Sequence, residues 1–235
     1  RAKKELGVAY EYIEPSEAAD RENALRQFAS GDFPIVIGIG FIFTDDINRV
    51  AKAFPKKHFA CVDYALDPKK PVPDNVIALK FREEESSFLG GVIAALSSKT
   101  KTIGFVGGMD VPLIHKFEAG FTAGAKWADP KVKALISYAG VTPEAFKDPS
   151  KGKEIALSQI SQGADIVYHA SGSTGLGVFE AARDKHILAM GVDSDQYQDA
   201  PGFVLTSVTK NVDQAVFEVI AREKRGQWKG GVIEL

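Results

Sequence analysis

The chain reads as an α/β protein built on parallel sheets with helices on both faces. Three observations predict this. Apolar runs of strand length recur at 33–39, 58–62, 76–81, 102–106, 132–139, 166–169, 187–192 and 204–208. Segments with helical spacing or caps stand between most of them. Many of the runs stop in glycine or in a charged residue, as Ile103-Gly104-Phe105-Val106 does at Gly107-Gly108-Met109-Asp110. Strand and helix in alternation argue for parallel strands joined by helical crossovers. In such sheets ligands bind just beyond the carboxyl ends of the strands.

The composition is that of a globular chain: 235 residues, 45% hydrophobic and 26% charged. Lys+Arg 29 against Asp+Glu 31 leaves a net charge of −2 and no basic block, so charge gives no support to a nucleic-acid partner. One cysteine, Cys61, rules out an internal disulfide and a cysteine-based zinc cluster. No run approaches the ~18 apolar residues of a membrane span. Residues 1–7 read as the last turns of a helix with its stop at Gly7. A helix is an unusual opening for a βα fold, so an N-terminal strand is expected to be missing ahead of Arg1.

Taken in order, 8–13 alternates and predicts a strand. Ser16 is the expected cap of a helix over 17–29. The run 33–39 predicts a buried strand, and Thr44 or Asp45 is expected to cap a helix through Ala53. Strands follow at 58–62 and 76–81. The helix 83–97 is expected to bury Phe88, Leu89, Val92, Ile93 and Leu96. The pattern then repeats: strand 102–106, a helix to Trp127 with Phe117, Phe121 and Ala125 on one side, strand 132–139, and helix 149–162. Strand 166–169, helix 177–183, strands 187–192 and 204–208, and helix 212–225 complete it. The reading divides the chain into a first lobe over 1–82, a helix near a crossing at 83–101, a second lobe over 102–195, and returning terminal elements over 196–235.

The strand ends supply the candidate site. The first half offers Phe41, Asp63 and Glu83; the second offers Asp110, Phe146, Gly172, Gly175, Asp193 and Lys210. Asp193 and Asp195 suit vicinal hydroxyls as acceptors, and Lys210 is a donor. Phe41 and Phe146 present flat faces to a planar ring, and glycines at 172, 175 and 177 let backbone approach a ligand. Each residue also has a plainer role. Phe146 packs equally well under its own loop, Phe41 is more often core, Asp-Ser-Asp is common turn chemistry, and Lys210 is ordinary at a helix start. Gly172-Ser173-Thr174-Gly175-Leu176-Gly177 lacks the Gly-Lys ending of a phosphate loop. His58, His115, His169 and His186 show no metal-ligand spacing, and no Gly-x-Ser-x-Gly elbow occurs. His169, at a strand end, is the one histidine placed for chemistry. The set favours binding over catalysis, with no metal and no cofactor.

Several longer stretches resemble one family. They are Phe81-Arg82-Glu83-Glu84-Glu85-Ser86-Ser87-Phe88-Leu89-Gly90-Gly91, Ile103 to Asp110, Phe117-Glu118-Ala119-Gly120-Phe121, Asp148 to Lys153, and Gly191-Val192-Asp193-Ser194-Asp195-Gln196. These are similar to the basic membrane protein family, the purine-nucleoside-receptor-like substrate-binding lipoproteins of bacterial ABC transporters. The resemblance runs over almost the whole chain. It implies a type I periplasmic-binding-protein fold, with two Rossmann-like lobes and a hinge, closing on a nucleoside in the cleft. It also implies that Phe146 stacks on the purine, that Asp193 and Lys210 hold the ribose hydroxyls, that the Gly172–Gly175 turn approaches the ribose, and that Glu83 faces the base or the hinge. The implied partners are a nucleoside and an inner-membrane ABC permease. The implied protein is a monomer and a periplasmic or cell-surface lipoprotein. A ligand-sensing domain of a transcriptional regulator is the alternative on the same fold. The family's opening Asp-x-Ser-Phe-Asn type segment and its lipobox cysteine are not found in this chain.

Overall fold

A computed structural model describes residues 1–15 and 18–235. The described residues form two compact units, Arg1–Phe81 with Val212–Leu235, and Arg82–Asn211.

The first unit carries α1 (Ala2–Leu6), α2 (Ala18–Ser30), β1 (Ile35–Ile39), α3 (Thr44–Ala53), β2 (His58–Val62) and β3 (Val76–Lys80). Two late elements return to it, α8 (Val212–Lys224) and β9 (Gly231–Glu234). Its four-stranded sheet has the order β1-β2-β3-β9, all parallel. Successive residues of β2 face opposite cores, as the pleat requires. Phe59 and Cys61 join Leu25, Ile47 and Val50 on one face; Ala60 and Val62 join Phe81, Ala215 and Val219 on the other. His58 helps dock α8: its Nδ1 lies 2.8 Å from Glu223 Oε2, and its ring stacks at 4.3 Å on Trp228.

The second unit carries α4 (Glu83–Ser97), β4 (Thr102–Met109), α5 (Pro112–Ala128), β5 (Lys133–Gly140), α6 (Pro149–Ser161), β6 (Ile166–Ala170), α7 (Gly175–Lys185), β7 (Leu188–Asp193) and β8 (Val204–Thr209). Its five-stranded sheet runs β5-β4-β6-β7-β8, again all parallel. Phe105, Tyr168 and Met190 pack with Phe117 and Phe121 on one face. Val106, Val167 and Ala189 pack with Ile155 and Phe179 on the other. The predicted α/β architecture with helix-covered parallel sheets is therefore present.

Four differences from the sequence reading have physical reasons. The stretch 8–13 is not a strand, and Tyr10 and Tyr12 stand exposed; alternation makes a strand only where a ladder partner completes it. The strand expected to stop at Val106 continues through Gly107 and Gly108 to Met109. Thr44 does not cap α3; its Oγ1 accepts the backbone N–H of Ala65 at 2.9 Å. The expected cap Ser16 lies outside the described residues.

The fourth difference concerns α4, whose buried residues are Glu83, Ser87, Gly90, Gly91, Ala94 and Ala95. Leu89, Ile93 and Leu96 are exposed. Gly91 faces α5, where the two helix backbones touch, while Gly90 faces Val208 and Met190 of the sheet. A Cβ built at Gly91 would stand 1.9 Å from Phe121 O, and one at Gly120 would stand 2.2 Å from Glu84 O.

The units also group the chain differently from the boundaries read above. α4 packs on α5 and β8 and so belongs with the second unit. The stretch 196–211 stays there because β8 pairs with β7. The return to the first unit begins at Val212 and ends on β9, a strand absent from the sequence reading.

Candidate functional site

The carboxyl ends of β4 to β8 form one rim of the second unit, because all five strands run parallel. Phe146 sits there in a 3₁₀ turn, Pro143–Phe146, that follows β5. Its ring lies against Gly108: a Cβ at that glycine would be 2.2 Å from Phe146 Cε1. The turn is stapled to the next one, Gly172–Thr174, by hydroxyls. Ser173 Oγ donates to Phe146 O at 2.9 Å and Thr174 Oγ1 to Ala145 O at 2.8 Å, while Thr174 Oγ1 accepts from Asp148 N at 2.9 Å. Gly172 has φ 56, a conformation in which a side chain is strained, and its Cβ would lie 3.1 Å from Phe146 O. The structure thus brings Phe146 and Gly172 together.

Asp193 and Lys210 form the second group. Asp193 ends β7 in the left-handed region at φ 65, where short polar side chains are favoured. Its carbonyl accepts the N–H of Lys210 at 2.9 Å. Gln196 braces the turn: its Oε1 accepts Val192 N at 2.8 Å and its backbone N donates to Ser207 Oγ at 3.1 Å. The Lys210 ammonium stands 3.6 Å from Asp193 Oδ1 and 4.0 Å from Glu83 Oε1, over the ring of Phe117 at 5.6 Å. Asp195 is less available, since its Oδ1 accepts Tyr197 N at 3.0 Å in a local turn. A groove of about 430 Å³ runs beside these residues along β8, lined by Asp195, Tyr197, Leu205, Ser207 and Thr209.

Glu83 is almost completely buried, with its side chain 1% exposed. Its Oε2 accepts from Lys116 Nζ at 2.9 Å. Burial pulls the Lys116 ammonium down, but its hydrogen bonds to Glu83 and Glu84 outweigh that and its pKa is raised. Lys116 was not among the residues read from the sequence, because it sits in the body of α5 rather than at a strand end. Asp110 is half-exposed and engaged, with Oδ1 2.7 Å from His115 Nε2.

His169 is sealed inside. Gly175 presses on its ring, where a Cβ would be 2.1 Å from Cε1, and Phe179 meets it edge-on at 5.0 Å. Burial pulls its imidazole down to about 4, against a smaller upward pull from Gln196. Gly175 is therefore placed as a packing glycine over His169, with no open face toward the rim through that contact.

Phe41 lies in the first unit, half-buried in the turn Phe41–Phe43 after β1. There the first unit repeats a plan of the second. In one, β1 leads through a positive-φ glycine (Gly40, φ 107) and a 3₁₀ turn into α3, then β2, then Asp63 at φ 60. In the other, β6 leads through Gly172 and a 3₁₀ turn into α7, then β7, which ends at Asp193 at φ 65. Asp63 is thus the first unit's counterpart of Asp193, and it is buried. Among the described residues no group of three or more His, Cys, Asp and Glu side chains is placed to hold a metal ion, and no helix is long and apolar enough to cross a membrane.

A parallel α/β unit of this kind, with helices on both faces of its sheet, has the architecture of the periplasmic-binding-protein fold. The comparisons with known proteins place it more closely. The family model described as ABC transporter substrate-binding protein PnrA-like matches residues 1–235, and the chain belongs to this family, Bmp. A solved solute-binding protein of an ABC transporter system from Aeropyrum pernix superposes with a TM-score of 0.89 at 29% identity, over 100% of this chain and 66% of that one. The chain is 36% identical over 245 residues to the Lactococcus lactis protein named ABC transporter nucleoside-binding protein BmpA, covering 97% of this chain and 67% of the relative. It is 38% identical over 249 residues to an uncharacterized lipoprotein of Pyrococcus abyssi, covering 100% of this chain and 60% of the relative. The chain therefore spans about two thirds or less of the length of these relatives.

Proposed function

We propose that this chain is the ligand-binding part of an extracytoplasmic receptor for an ABC importer, and that its ligand is a purine nucleoside. The observation that carries this reading is the pairing of Lys210 with Asp193, 3.6 Å apart on the same rim as the Phe146 ring. A carboxylate and an ammonium side by side offer an acceptor and a donor, which matches the two hydroxyls of a ribose. The flat face of Phe146 matches a heteroaromatic base. Gly172 allows backbone to approach between them. The name of the Lactococcus relative supports a nucleoside, and that of the Pyrococcus relative supports lipoprotein anchoring. The partner of the loaded receptor is then an ABC permease. Calorimetric titration of the full-length receptor with inosine, guanosine, adenosine, uridine and free ribose tests the reading. Saturable heat with purine nucleosides, and weaker or none with uridine and ribose, is expected. No heat with any nucleoside would overturn it.

A further inference from the structure

We propose that Glu83 and Lys116 are a positioning pair for Lys210, setting its hold on a ribose-like diol without touching the ligand themselves. The proposal rests on the nucleoside reading for its ligand but on separate contacts for its mechanism.

Four side chains of the second unit alternate in charge. Lys116 Nζ donates to Glu83 Oε2 at 2.9 Å, Glu83 Oε1 lies 4.0 Å from Lys210 Nζ, and Lys210 Nζ lies 3.6 Å from Asp193 Oδ1. Exposure separates the two carboxylates, and Lys116 at the far end of the row is 29% exposed. The Glu83 and Lys210 side chains are 1% and 9% exposed, whereas Asp193 is 52% exposed. Glu83 is therefore out of a ligand's reach and Asp193 is open to it. A buried carboxylate needs close cationic partners. Lys116 takes one oxygen; Oε1 makes no hydrogen bond within the protein and faces the Lys210 ammonium across 4.0 Å. At that separation Lys210 is drawn to both carboxylates. Removing the Lys116 charge strengthens the pull of Glu83 on Lys210 and draws the ammonium away from Asp193.

The pair is held by backbone. Gly120 lets α5 touch the carbonyl of Glu84, and Gly124 lets it touch that of Phe88. Lys116, one turn before Gly120, is thereby held beside the first turn of α4. A longer side chain at either glycine would move Lys116 off Glu83.

The test compares inosine with hypoxanthine on the full-length receptor, because hypoxanthine lacks the ribose. Lys116→Met is expected to weaken inosine about five- to tenfold, to leave hypoxanthine unchanged, and to be rescued by Lys116→Arg. In a Glu83→Gln background the same change is expected to have no further effect. Equal losses for inosine and hypoxanthine, or a full Lys116→Met effect in the Glu83→Gln background, would overturn the pairing. If the parent receptor binds no nucleoside, the functional reading fails, and the pairing is decided in the ligand-free protein. There the NMR resonances of the Lys210 ε-methylene, assigned with Lys210→Arg, are expected to move on Lys116→Met. An unmoved signal overturns the proposal.

Discussion

Gly124 of α5 lies so close to Phe88 of α4 that a Cβ there would stand 1.9 Å from the Phe88 carbonyl oxygen. Neither backbone can yield without moving a helix. Gly124→Ala gains about 1 kcal/mol of helix propensity, but overpacking of this kind costs more. A net loss of about 2 kcal/mol is expected in urea unfolding. Leu89→Ala, on the exposed face of the same pair, is expected to change stability by less than about 0.5 kcal/mol. A larger loss from Leu89→Ala than from Gly124→Ala would show that the helix faces are assigned wrongly.

The buried His169 predicts an acid limb of stability. Unfolded, its imidazole takes a proton near pH 6.5; folded, it resists until about 4. Between those values the unfolded state binds more protons, so stability is full above pH 6.5 and falls as pH drops toward 4. The gap corresponds to about 3 kcal/mol. Unfolding free energies of the parent and of His169→Asn, measured in parallel from pH 7.5 to 4, should converge by roughly that amount. Parallel curves would refute the burial argument.

Cys61 reports on the first unit. It is fully buried, and burial pushes its thiol up to about 12. Thiolate is the reactive form, so at pH 8 the native protein is expected to resist Ellman's reagent. Labelling should begin only as urea opens the core around Phe59 and Ile47, with a midpoint matching that unit's unfolding. Immediate stoichiometric labelling in native buffer would contradict this.

How much was legible in the sequence depended on which interaction makes each feature. The bounds of α4 were read correctly, because Glu-rich start and apolar spacing are local. Its buried face was misread, because apolarity scores Leu89 and Ile93 and ignores what the glycines allow: Gly91 a neighbouring backbone at contact distance, and Gly90 the close side chains of Val208 and Met190. The stretch 8–13 carried true strand alternation, but alternation does not supply a ladder. β9 is short, and its partner β3 lies far back in the chain, so no local signal marked it. Of the proposed site, Asp193, Lys210 and Phe146 were legible as residues at or just after strand ends. Lys116 was hidden in a helix, and only its hydrogen bond to Glu83 sets it beside these residues. Asp63 was visible as a strand end, but its kinship with Asp193 lies in a left-handed backbone that no residue pattern announces.

The seat of Phe146 gives the sharpest test of base stacking, because it can be disturbed without removing the aromatic ring. The ring rests on Gly108, where an added Cβ would stand 2.2 Å from Cε1 and 2.4 Å from Cδ1. A side chain, unlike a backbone, can swing away, so Gly108→Ala is expected to fold and to displace the ring. Its main chain stays in place through the Ser173 and Thr174 hydroxyl bonds to Phe146 O and Ala145 O. If a purine stacks on Phe146, Gly108→Ala and Phe146→Ala should each weaken inosine about tenfold or more, the range expected for one base on one aromatic face. The double variant should be little worse than Phe146→Ala alone, since both act through the same ring. Calorimetry on the three variants measures this. Additive losses would mean that Gly108 affects binding by another route, and full affinity in Phe146→Ala would remove the ring from the site.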